Sequence, residues 1–97
     1  LQASSSGRIE VRGALTFSTA RHAREEGLRA ITDTQSRQLE ADCAGISAAD
    51  SAGLTVLLDW LAHAKVEGKS LRFTNLPAEI LAVARISDVE DLLKKGV

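Results

Sequence analysis

Aromatic residues are nearly missing: Trp60, Phe17 and Phe73 are the whole set in 97 residues, 3% of the chain. A core built from this sequence must therefore be aliphatic, made of Leu, Ile, Val and Ala. An excess of charge is missing too, since 12 basic side chains face 13 acidic ones and leave a net charge of -1. That balance offers no basic field for a phosphate backbone, so no nucleic-acid partner is expected. There is no polybasic segment for anionic lipid, and the longest apolar run, around Ala52 to Leu58, is far too short to cross a bilayer. No signal peptide is visible, because Leu1 to Gly7 is short and polar. Cys43 stands alone, which excludes an internal disulfide and reads as a small buried apolar residue. His22 and His63 lie far apart, with no Cys or acidic residue at ligand spacing, so they read as surface histidines and no metal is expected. The glycines form neither a phosphate loop nor a dinucleotide fingerprint, so no nucleotide or other cofactor is expected. These absences together favour a cytoplasmic protein.

What is present is an ordinary globular balance, 44% hydrophobic and 26% charged, at a length that suits one domain over residues 1–97. Leu1 to Ser6 is a weak strand candidate. Arg8 to Arg12 alternates as a half-buried strand with Ile9 and Val11 inward, and Gly13 ends it. Ala14 to Ser18 reads as a short connection with Leu15 as an anchor. Ser18 or Thr19 can cap a helix running to about Ile31. Ala20, Ala23, Gly27 or Leu28, and Ile31 make its buried face, and Arg21, Arg24, Glu25 and Arg29 its wet one. After a polar turn at Thr32 to Ser36, Gln38 to Cys43 reads as a strand with Leu39, Ala41 and Cys43 on one side. A long helix then opens at Asp50-Ser51-Ala52-Gly53-Leu54 and runs to about Glu67 on a stripe of Leu54, Leu57, Leu58 and Leu61, until Gly68 stops it. Ser70 to Thr74 is a further strand with Leu71 and Phe73 inward. Pro77 fits the first turn of a helix carrying Ile80, Leu81, Val83, Ala84 and Ile86. Ser87 or Asp88 caps a last short helix through Val89, Leu92 and Leu93. Strands alternating with helices point to an α/β domain with a parallel or mixed sheet covered by helices.

Most of this pattern could belong to any small α/β domain, and the segment Asp50 to Leu54 is the exception. A helix start leaves backbone N–H groups unpaired and bears the positive end of the macrodipole. Asp50 or Ser51 can accept from those groups, Gly53 lets another backbone come close, and Leu54 plugs the turn into the core. The result is a flat, hydroxyl-bearing corner suited to close docking by another protein. A phosphate on Ser51 would be tolerated by the helix start while adding charge and bulk to the docking surface. Plain helix capping, with no partner at all, accounts for the same residues.

Asp50-Ser51-Ala52-Gly53-Leu54 resembles the signature of STAS domains, the family of anti-sigma factor antagonists. That pattern is an Asp, a Ser or Thr, a small residue, Gly and an aliphatic. Gly13-Ala14-Leu15-Thr16 resembles the family's Gly-x-Leu-Asp stretch, with Thr16 in place of the usual Asp. The resemblance covers nearly the whole chain and implies a SpoIIAA-like fold, a mixed sheet of about four to five strands covered by about four helices. It also implies that Ser51 is the candidate phosphosite. Within the family, GLTVLLDWLAHAKVEG from Gly53 to Gly68, Ser70 to Phe73 and Leu81 to Arg85 are similar to the MlaB branch. That branch is the STAS subunit of an ABC complex for phospholipid transport and outer-membrane lipid asymmetry. The likeness implies a non-enzymatic subunit that binds an MlaF-like ATPase beside permease and substrate-binding subunits. It would sit on the inner face of the inner membrane through that partner, with no direct lipid binding. The alternative is an anti-sigma factor antagonist regulated by phosphorylation of Ser51.

The expected partner-binding residues are Asp50, Ser51, Ala52, Gly53 and Leu54, with Phe17, Ser18 and Thr19 as a nearby second patch. Trp60 lies off the centre of the Leu stripe, either packed under a neighbouring helix or half-exposed as an interface anchor. A small enzyme using Asp50 or Ser51 is the weakest reading, because no His stands as its base and no oxyanion device is visible.

Overall fold

The computed structural model describes residues 1–3 and 7–97. Four strands and four helices follow in order: β1 (Gln2–Ala3), β2 (Arg8–Leu15), α1 (Ala20–Asp33), β3 (Gln38–Ala49), α2 (Ser51–Val66), β4 (Ser70–Thr74), α3 (Ala78–Ile86) and α4 (Glu90–Lys95). The expected strand at Leu1 to Ser6 is seen as the two residues of β1, and Ser4 to Ser6 lie outside the described residues.

The sheet has the order β1-β2-β3-β4. β1 is antiparallel to β2, whereas β2 to β3 and β3 to β4 are parallel, so the sheet is mixed as expected. Parallel neighbours need a crossover, and α1 and α2 supply the two crossovers. Alternation along each strand sorts the side chains by face. Ile9, Val11 and Leu15, then Leu39, Ala41 and Cys43, then Leu71 and Phe73 are buried in one hydrophobic cluster with the helices. On the opposite face Arg8 reaches Glu40 at 2.8 Å and Asp42 at 2.7 Å across two strands.

Two strands are longer than their alternation suggested. β2 runs through Gly13 to Leu15, because two register shifts against β3 absorb the irregular step and Gly13 takes a φ of +83° there. β3 continues past Cys43 to Ala49 for the same reason, pairing along the extended part of β2.

The helices close over the apolar face. α1 and α2 pack closely at Gly27, where a Cβ would stand 2.0 Å from the Trp60 ring. Arg24 and Asp59 pair beside it at 2.9 Å, and Thr32 Oγ1 lies 2.7 Å from His63 Nε2 one turn further on. α1 carries no basic residue in its last turn. The missing charge comes from another part of the chain: the Lys69 ammonium donates to the carbonyls of Ile31, Thr32 and Thr34. It thereby caps the negative end of the α1 dipole.

Three local expectations are corrected. Pro77 occupies the N-cap of α3 rather than its first turn, with φ -69° and ψ 152°. Neither Ser87 nor Asp88 caps α4: Ser87 closes α3, and Val89 stands at the α4 N-cap without a side-chain bond. Ile86 is 86% exposed. Ile80 and Ala84 form the buried line of α3, and Ile86 is six residues beyond Ile80, about 240° round the helix.

Candidate functional site

The C-terminal ends of β2 and β3 run side by side to Leu15 and Ala49, which are register partners. Asp50 follows directly, in an extended conformation that ends the strand and makes it the N-cap of α2. Its main-chain oxygen accepts from Gly53 at 3.0 Å and from Leu54 at 3.3 Å. Its Oδ1 accepts from the N–H groups of Ala52 at 2.9 Å and Gly53 at 3.3 Å. These are the donors that a helix start leaves without partners.

The other carboxylate oxygen leaves the helix altogether. Asp50 Oδ2 accepts the backbone N–H of Phe17 at 3.1 Å, across 33 positions of sequence. The loop it holds is tied internally by Thr19. Thr19 Oγ1 donates to Ala14 O at 2.8 Å and accepts the Thr16 N–H at 3.0 Å. Thr19 is therefore the N-cap residue of α1 by position, but its side chain ties the loop and makes no cap bond. Ser18 is exposed, and Phe17 is 84% exposed. Ser51 is exposed beside them, and its hydroxyl makes no hydrogen bond to any described residue.

One corner thus gathers Phe17, Ser18 and Thr19 with Asp50, Ser51 and Ala52, the two patches that the sequence placed near each other. Three further residues expected at the interface face inward. Trp60 is fully buried, and its indole Nε1 donates to Arg24 O at 3.2 Å, so it is not a half-exposed anchor. α1 and α2 cross over it, which removes its ring from any outside surface. Leu54 is only 4% exposed and belongs to the core. Gly53 is buried too: a Cβ there would stand 2.3 Å from Leu15 O, so the backbone it admits is that of its own β2. Both shape the corner from behind and do not line it.

None of the described residues buries a polar or charged side chain in the core, and no cluster of His, Cys, Asp and Glu among them could hold a metal. Cys43 is buried, and desolvation, helped by the Asp42 charge, pushes its thiol up to about 12. Among the described residues no helix is long and apolar enough to cross a membrane.

The family model described as "Mlab, STAS domain" matches residues 2–94. The chain belongs to the STAS family. STAS domains are in general regulatory or interaction domains rather than enzymes. Two solved structures share the fold. One is a sulfate transporter family protein from Wolinella succinogenes, 14% identical, with a TM-score of 0.70 over 98% of this chain and 77% of that one. The other is the anti-sigma factor antagonist SpoIIAA in its unphosphorylated form, 17% identical, with a TM-score of 0.67 over 87% of this chain and 73% of that one. At these identities the likeness speaks for the STAS fold alone. The comparison with curated proteins returns no match.

Local reading of the sequence did not reveal the bond from Asp50 to Phe17. Nothing in the neighbourhood of either residue signals it, since the parallel pairing of β2 and β3 is what brings them together.

Proposed function

We propose that this STAS domain is a non-enzymatic subunit that docks through the Phe17–Ser51 corner on the ATPase of an ABC-type phospholipid transporter. The observation that carries the reading is the shared Asp50 carboxylate, which ties the main chain of the exposed Phe17 to the helix start that bears the exposed Ser51. An aromatic side chain that is 84% exposed can enter a pocket on another protein, where aromatic anchors often carry binding energy. The match to the family model described as Mlab supports the choice of an MlaF-like ATPase as that protein. In that setting the chain sits on the inner face of the inner membrane through its partner. Permease and substrate-binding subunits handle the lipid, and the assembly serves outer-membrane lipid asymmetry.

Co-purification tests the proposal. The wild-type chain should be retained by the transporter's tagged ATPase, and Ser51→Glu, which adds charge and bulk to the corner, should be lost from it. Full retention of Ser51→Glu, with its fold verified by circular dichroism, would place the interface elsewhere.

A second reading is favoured by one observation, the exposed Ser51 hydroxyl, which has no hydrogen-bond partner among the described residues. A kinase could reach it, and the resulting phosphate would face the helix N-terminus. The chain would then be an anti-sigma factor antagonist switched at Ser51. Incubation with the cognate kinase and ATP, read by intact mass, separates the two readings. A single phosphate that disappears in Ser51→Ala favours the antagonist.

A further inference from the structure

Asp50 makes two kinds of contact with different oxygens, and their consequences can be separated. Oδ1 serves α2, accepting from Ala52 and Gly53. Oδ2 serves the loop before α1, accepting from Phe17. That loop has its own tie at each side, Thr16 N–H to Thr19 Oγ1 at 3.0 Å and Thr19 N–H to Thr16 O at 3.0 Å, but Phe17 lies between those bonds. Among the described residues the Phe17 main chain has no other link to the body of the fold, and its ring, being 84% exposed, contributes little packing of its own. Thr19 holds the loop to Ala14 O of β2, and a single carboxylate oxygen ties the Phe17 main chain to the start of α2.

We infer that Asp50 is a positioning residue, which pins the Phe17 main chain to the start of α2 through Oδ2, and with it the base of the exposed ring, independently of its role as the helix cap. The consequence for docking rests on the proposed corner interface, whereas the clamp itself is a property of the isolated chain. The chemistry of Asn divides the two roles. Asn is as good an N-cap as Asp, because its amide oxygen can take over the bonds of Oδ1. Its amide nitrogen then falls where Oδ2 stood, and a donor meets the Phe17 N–H where an acceptor is needed. Asp50→Asn should keep the helix start and release the loop, whereas Asp50→Ala should lose both.

The test is amide hydrogen exchange by NMR on the whole isolated chain, with ATPase retention measured separately. In wild type the Phe17, Ala52 and Gly53 amides should all be protected. In Asp50→Asn the Phe17 amide should exchange about tenfold faster or more, the loss expected for a charge-assisted bond, while Ala52 and Gly53 keep their protection. Equal protection of Phe17 in wild type and Asp50→Asn would overturn the inference. So would parallel loss at all three amides. Should Asp50→Ala fail to fold, wild type against Asp50→Asn decides the matter alone. Selective release of Phe17 with undiminished ATPase retention would leave the clamp standing and sink the docking surface instead.

Discussion

Helix α2 meets the rest of the fold through glycine at two places, and the two contacts serve opposite ends. At its waist the Trp60 ring lies on Gly27 of α1, so close that a Cβ there would be 2.0 Å from the ring. At its tip Gly53 lies on Leu15 O of β2, where a Cβ would be 2.3 Å away. The waist is sealed: Trp60 is fully buried and its one polar atom is satisfied by Arg24 O. The tip is open, because the same close approach presents Ser51 and Phe17 outward with Asp50 between them. Dense packing locks two helices together in the first case. In the second it acts as a backstop for a displayed surface.

The contrast can be broken most forcefully at the waist. Trp60→Ala should cost about 4 kcal/mol in chemical denaturation, from lost burial and the cavity left behind. Gly27→Ala should follow at about 2 to 3 kcal/mol, because the added methyl must push the ring aside. A change below about 1 kcal/mol for either would mean that α1 and α2 are not locked there. At the tip, Gly53→Ala gains about 1 kcal/mol of helix propensity but collides with main chain that cannot swing away. A net loss of about 1 to 2 kcal/mol is expected, with a displaced Phe17 amide resonance as its local sign. An unmoved resonance would unlink the tip from β2.

Lys69 sharpens the same comparison from the far end of α1. Lys69→Met removes an ammonium that answers three carbonyls, and should cost about 1 to 2 kcal/mol. Amides near Ile31 should exchange faster, while those of Asp50 to Leu54 do not change. Phe17→Ala should be nearly silent in stability, within about 0.5 kcal/mol, because the ring is exposed. Its effect should fall on retention by the ATPase, about thirtyfold weaker if the ring is a hot spot. A Phe17→Ala chain that melts early would place the ring in the fold rather than on display.

The smallest effect is expected away from both contacts, on the charged face of the sheet. The side-chain bond from Asn75, with help from the Ala44 N–H and the Arg8 charge, holds Asp42 below its ordinary 3.8. A carboxylate depressed in the folded state contributes stability above its unfolded value and loses it as pH falls through the folded one. Wild type should therefore exceed Asp42→Asn by a small constant margin at neutral pH, and the margin should close below pH 3.8. The same gap persisting at pH 2 would assign it to shape rather than charge.

Several features of the fold were legible because their causes are local. Ser70 to Thr74 reads as a strand with Leu71 and Phe73 inward, and β4 has those bounds and that orientation. Asp50 as a helix start is visible because the cap and its donors lie within three residues. The order of strands and helices follows from the same short-range periodicities. The family signature added Ser51, which the structure leaves exposed.

What tertiary structure alone decided lies between residues far apart in the chain. The destination of Trp60 depended on whether a neighbouring helix offered a glycine and a carbonyl at the right height, and α1 offers both. The charge at the end of α1 comes from Lys69, 38 positions beyond Ile31. Phe17 joins Asp50 across 33 positions. Periodicity and capping rules describe what a few consecutive residues do to one another. A side chain's distant partner is fixed only once sheet register and helix crossing have brought two segments together, so inward-facing strands could be read from the sequence and the clamp at the corner could not.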